Sequence, residues 1–183
     1  MTNYCEKLKK ETFPLHQRLD QLATLKRLMS LAVKEEDYVQ FLRANYLAYT
    51  FLSKKSPTSI NKERIYQLEK DLKSLSHEVV DFPLELNFNT NDHPAFEWGV
   101  FYVLEGARHG APYIKSHLQK TITDLENHAF TFLSHTSSSS WQEVLKKTED
   151  CAKKDYPSLL LGVEQTYKVF IDIFEVLYDS ETR

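Results

Sequence analysis

His16 lies in the stretch KLKKETFPLHQRLD, with Lys9 seven residues before it and Thr12 between them. On a helix, a separation of seven puts Lys9 and His16 on nearly the same face, about 10 Å apart. A neutral imidazole is a good iron ligand. A lysine at that distance can meet a carboxylate on the same ligand. Iron at the centre with carboxylates at an edge describes a haem. A solvated histidine beside a solvated lysine fits the same pattern.

The second candidate is FYVLEGARHGAPY, Phe101–Tyr113. The chain has only four glycines, and three of them, Gly99, Gly106 and Gly110, fall within twelve residues. Gly106 and Gly110 share one helical face. Each costs about 1 kcal/mol relative to alanine inside a helix. Paying that penalty twice on one face points to close approach by a flat ligand or by a neighbouring helix. His109 lies roughly 60° from Gly106 around the helix, within reach of such a ligand or of a neighbouring helix. Arg108 lies about 160° from Gly110 and is expected to face solvent or a ligand's acidic edge.

Other histidines offer weaker chemistry. Glu105/His109 and Asp124/His128 are carboxylate–histidine pairs at i, i+4, a spacing that can place two metal ligands on one face. No HExxH is present, which argues against a zincin. Cys5 and Cys151 form no metal-ligand pattern and read as reduced thiols of a cytoplasmic protein.

The elements that must carry these residues are helical. The 183 residues are 42% hydrophobic, enough for one domain with a sizeable core, expected to span 1–183. Lys+Arg 23 against Asp+Glu 26 gives a net charge of -3, which argues against a general nucleic-acid surface. No apolar run approaches a membrane span, and the polar N-terminus lacks a secretory signal. The periodicity predicts a first helix interrupted or kinked at Pro14, an ambiguous stretch at Thr24–Val33, and a strong helix over Lys34–Lys55. In that helix Tyr38, Phe41, Leu42, Asn45, Tyr46, Tyr49 and Leu52 form one buried face. A narrower stripe runs to about Val80, followed by a long loop over Asp81–Pro94. A helix runs from about Pro94 to His109, and Pro112 should kink or break the chain just after Gly110, with another helix from there to about Phe132. SHTSSSS at Ser134–Ser140 is a loop. Helices are expected over Trp141–Lys154 and Ser158–Tyr178, separated at Pro157. Nothing alternates with period two, so the fold class is an all-α, single-domain multi-helix bundle.

KLKKETFPLHQRLD resembles the proximal-helix segment of haem oxygenases, and YVLEGARHGAPYI resembles their distal helix. The nearest likeness is to the bacterial biliverdin-forming subgroup. The Tyr38–Lys55 helix and GVEQTYKVFIDIFEVL also resemble family segments. The resemblance implies a haem sandwiched between a proximal helix and a kinked distal helix. His16 would be the iron ligand. Gly106 and Gly110 would lie over the distal haem face, with His109 beside them. Lys9 and Lys146 would pair with propionates, Trp141 would open the helix carrying Lys146, and Gln142 would replace a further base. Thr12 joins these as a cofactor contact. The implied activity is cleavage of haem to biliverdin, CO and ferrous iron, with O2 and electrons from an external donor such as ferredoxin or a reductase. A cytoplasmic monomer is the default.

Four positions depart from the family pattern: Ala107, His109, Ala111 and Pro112. Two alternatives therefore stand beside the active enzyme. One is a haem-binding but catalytically altered relative with His109 near or on iron. The other is a non-haem di-iron oxidase on the same scaffold.

Overall fold

The computed structural model describes residues 3–57, 62–79, 85–122, 125, 127–134 and 140–181. Seven α-helices follow one another: α1 Tyr4–Asp20, α2 Ala23–Leu28, α3 Glu35–Lys55, α4 Lys62–Ser74, α5 Pro94–Thr121, α6 Thr131–Ser134 and α7 Trp141–Glu181. A 3-10 turn at Asn127–Phe130 precedes α6. No strand occurs among the described residues.

The buried face expected of α3 is present. Tyr38, Phe41, Leu42, Asn45, Tyr49 and Leu52 are all buried, and Tyr46 is partly so. They pack with Phe130, Phe132, Phe170 and Phe174 in the main core. A smaller core joins Leu8 of α1, Ala95 and Val103 of α5, and Ala152, Leu159 and Val163 of α7.

The proline expectations need correction. α1 runs through Pro14 without interruption. α5 runs through Gly106, Gly110 and Pro112 to Thr121, instead of ending at His109. A proline removes one backbone donor, and an interior proline costs about 3 kcal/mol. The burial of Ala111 and Leu118 on either side of Pro112 favours continuing the helix. The segment toward Phe132 is a 3-10 turn and the short α6 instead of a long helix. α4 stops at Ser74, short of Val80, with Ser76 at φ 61 just beyond.

The break before Pro157 is real but local. α7 is one long helix bent at Asp155, whose φ of -156 and ψ of 86 are non-helical. The Asp155 carboxylate accepts from the Ser158 amide at 3.1 Å and from the Ser158 hydroxyl. Asp155 is thus the N-cap of the second half of α7, and Pro157 stands in its first turn, where its missing donor is harmless.

α5 and α7 meet backbone to backbone. A Cβ on Gly99 would strike the Leu159 carbonyl oxygen, and one on Gly162 would strike the Phe96 carbonyl oxygen. These two glycines belong to helix packing. α1 and α5 both pack on α7 and scarcely touch each other.

Candidate functional site

The first half of α7 packs on the start of α1 and, through Trp141, on Tyr102 and His109 of α5. Its start is fixed by a capping box: the Ser140 hydroxyl accepts from the Glu143 amide at 3.2 Å, and the Glu143 carboxylate accepts from the Ser140 amide at 2.8 Å. The Ser140 contacts hold the Glu143 carboxyl below its ordinary value. This box sets Trp141 at the first helical position. It was readable in the sequence as Ser-x-x-Glu.

Trp141 faces α5. Its ring lies 5.4 Å from Tyr102 at 30°, and 4.8 Å from His109, edge-on at 62°. A Cβ added to Gly106 would meet only the Trp141 ring edge, at 3.7 Å. A Cβ added to Gly110 would meet nothing within 4 Å. Gly106, His109, Tyr102 and Trp141 are therefore brought together, and Gly110 is left open. Tyr113, three residues beyond Gly110 and on the same side of α5, is 72% exposed.

On α1, His16 is exposed. Its Nδ1 lies 2.9 Å from the Asp20 carboxylate. A carboxylate only accepts, so Nδ1 is the donor in this contact. Nε2 has no hydrogen-bond partner among the described residues. A carboxylate behind a histidine is the usual support of a metal-binding imidazole. Asp20, four residues after His16, was legible as that partner and was not singled out. The His16 ring also meets Tyr167 of α7 edge-on at 5.9 Å. Burial, then the nearness of Tyr102 and Asp20, pushes the Tyr167 phenol well above its ordinary range. Tyr102 and Tyr167 thus link the His16 side to the glycine side. Neither was anticipated, because both look like ordinary core aromatics at helical spacing.

The remaining candidates are spread more widely. Lys9 is exposed on the His16 side of α1, and Phe13, between them, is 53% exposed. Thr12 is buried, and its hydroxyl donates to the Leu8 carbonyl at 2.9 Å, within its own helix. Lys146 is exposed on α7. α1 is tied to α7 by the Glu149 carboxylate, which accepts from the Tyr4 and Cys5 amides, and by the Tyr156 hydroxyl, which donates to Glu11 at 2.6 Å. Burial, then Glu149, pushes the Cys5 thiol up to about 11, which keeps it protonated and unreactive.

Arg108 is not where the sequence placed it. Its side chain is only 9% exposed and pairs with the buried Glu105 at 2.5 Å. Tyr49 of α3 and Arg64 of α4 lie in the same buried group, and burial pushes the Tyr49 phenol up. This pairing also bears on the di-iron alternative. Glu105 turns to Arg108 while His109 turns to Trp141, although the two are four residues apart. Asp124 and the His128 side chain lie outside the described residues. Among the described residues no group of three His, Cys, Asp or Glu could hold a metal ion. No described helix is long and apolar enough to cross a membrane.

Comparison with curated proteins gives no match. The family model for heme oxygenase matches residues 2–174. With nearly the whole chain covered and the helices all α, the protein belongs to the haem oxygenase family, whose members degrade haem.

Proposed function

We propose that the chain is an active haem oxygenase, nearest the bacterial biliverdin-forming subgroup, and that residues 1–183 make up one such domain. It would cleave haem to biliverdin, CO and ferrous iron, taking O2 and electrons from a ferredoxin or a reductase, as a cytoplasmic monomer.

The contrast among the glycines carries this reading. Gly99 and Gly162 are closed by backbone, whereas Gly110 is open and Gly106 meets only one ring edge. The open pair has no packing reason in the protein alone, and a flat ligand supplies one. Exposed aromatics on both sides, Phe13 before His16 and Tyr113 after Gly110, support an apolar ligand between α1 and α5.

The residues present fit haem. His16 would hold the iron through Nε2, with Asp20 fixing the ring's orientation through Nδ1. Lys9 and Lys146 would meet the propionates, and Thr12 would brace the α1 wall from within. Gly106 and Gly110 would admit the macrocycle against α5, keep side chains off its reacting edge and fix its position. Bound haem supplies the O2 activation, being itself the substrate. A neutral imidazole donates less strongly than a thiolate, which disfavours early O–O cleavage.

The test is addition of hemin to purified protein, followed by ascorbate or reduced ferredoxin. We expect the Soret band to fall as a biliverdin band grows. His16→Ala should lose the histidine-ligated spectrum; an unchanged spectrum would reject His16 as the ligand.

His109 supports a second reading, a haem-binding relative with altered catalysis. Its ring is exposed on the Gly106 side of α5 and makes no hydrogen bond among the described residues. A stable low-spin bis-histidine spectrum in the unaltered protein would favour that reading.

A further inference from the structure

An exposed histidine one helical turn from Gly106, with both ring nitrogens unengaged, is a ready second ligand for any iron brought to that face. Two imidazoles on one iron would close the position at which O2 must bind. What restrains His109 is therefore decisive for the chemistry, and the described residues offer one restraint. His109 is held by a ring contact to Trp141, 4.8 Å between centroids and edge-on at 62°.

Trp141 is well placed for such a task. The Ser140–Glu143 capping box fixes its backbone at the head of α7. Tyr102 lies against the same indole at 5.4 Å and 30°. The indole is thus held from two directions before His109 meets it. The edge-on contact is the arrangement aromatic rings favour, and such pairs contribute beyond their buried area.

We propose that Trp141 is a positioning residue that holds His109 aside and so keeps the iron's open coordination position free. The inference rests on the haem reading above. It assigns Trp141 no contact with the reacting atoms. Its whole effect passes through His109.

The test is spectroscopic and needs no turnover. Hemin is added to the unaltered protein, Trp141→Leu, Trp141→Phe and the double variant Trp141→Leu/His109→Leu, each first checked for helical content by circular dichroism. The unaltered protein should show a high-spin ferric signal by electron paramagnetic resonance. Trp141→Leu should lose that signal in favour of a low-spin bis-histidine one. Trp141→Phe should keep the high-spin signal, because a ring still meets His109. The double variant should regain it, because the second imidazole is gone.

Hemin binding with an unchanged Trp141→Leu spectrum would overturn the role of Trp141 and leave the haem reading intact. So would a low-spin signal already present in the unaltered protein, or one that persists in the double variant. Failure of the unaltered protein to bind hemin would instead remove the haem reading, and this inference with it.

Discussion

An added methyl group meets opposite surroundings at Gly99 and Gly110. At Gly99 it would collide with the Leu159 carbonyl, so Gly99→Ala must push two long helices apart. We expect a loss of about 1–3 kcal/mol by urea denaturation, the usual range for overpacking. At Gly110 it enters open space, and Gly110→Ala should stabilise the ligand-free protein by up to about 1 kcal/mol through helix propensity alone. The same substitution should impair hemin turnover. A Gly110→Ala protein that is less stable than the unaltered one would mean that the glycine is structural.

His16, Gly106 and Gly110 could be singled out from sequence because residue type and helical spacing are enough to place them on faces. Gly99 could not be separated from them, because spacing does not say which face meets another helix. Arg108 was misplaced for a related reason. Its angle from Gly110 was sound, but that direction leads to Glu105, Tyr49 and Arg64 instead of water. Burial of a charge depends on partners from α3 and α4, far away in sequence.

At the scale of elements, polar side chains decide where helices stop and what they hold. The buried Asp71 of α4 accepts from the Thr131 and Phe132 amides at 2.9 Å and 2.8 Å, securing the start of α6. Asp71→Ala would leave the buried Phe132 amide and the part-buried Thr131 amide without this acceptor, and we expect a loss of about 2–4 kcal/mol by denaturation. Asp155 governs the bend in α7. The Ser158 hydroxyl, then the Ser158 amide, hold its carboxyl below the ordinary value of 3.8, with His93 adding to this. A depressed pKa means stability that is fully present above pH 3.8 and lost as pH falls through the lower folded value. Below pH 4, about the unfolded pKa of an aspartate, the melting temperature of the unaltered protein should therefore fall more steeply than that of Asp155→Asn, whose cap does not titrate. Parallel slopes would count against this role. The interruption at Pro157 was foreseeable because a good N-cap precedes it. The continuity through Pro14 and Pro112 was not, because packing of the flanking turns outweighs one missing hydrogen bond.

At the scale of the whole molecule, the two sides of the proposed haem site are built differently. α5 is locked to α7 at Gly99 and Gly162 and lies deep in both cores. α1 contributes Leu8 to the smaller core, with Tyr4, Leu15 and Leu19 only partly buried against it, and is otherwise fastened by polar contacts: to Glu149 at its start, from Tyr156 to Glu11 in its middle, and by Arg18, which pairs with Glu175 at 2.9 Å, near its end. The exposed Arg18–Glu175 pair contributes little, typically below about 1 kcal/mol. Amide exchange should therefore be faster along α1 than around Gly99, and added hemin should slow it on α1 most. Equal protection of both helices without hemin would contradict this.

The glycine crossing thereby acquires a kinetic meaning. Two helices seated backbone on backbone can neither roll nor slide without unseating each other, so they behave as a fixed jamb. α1 has no such crossing, and it carries His16. Under the proposed haem reading, any yielding of the site would fall to α1, so that letting the product out and letting go of the metal would become one motion.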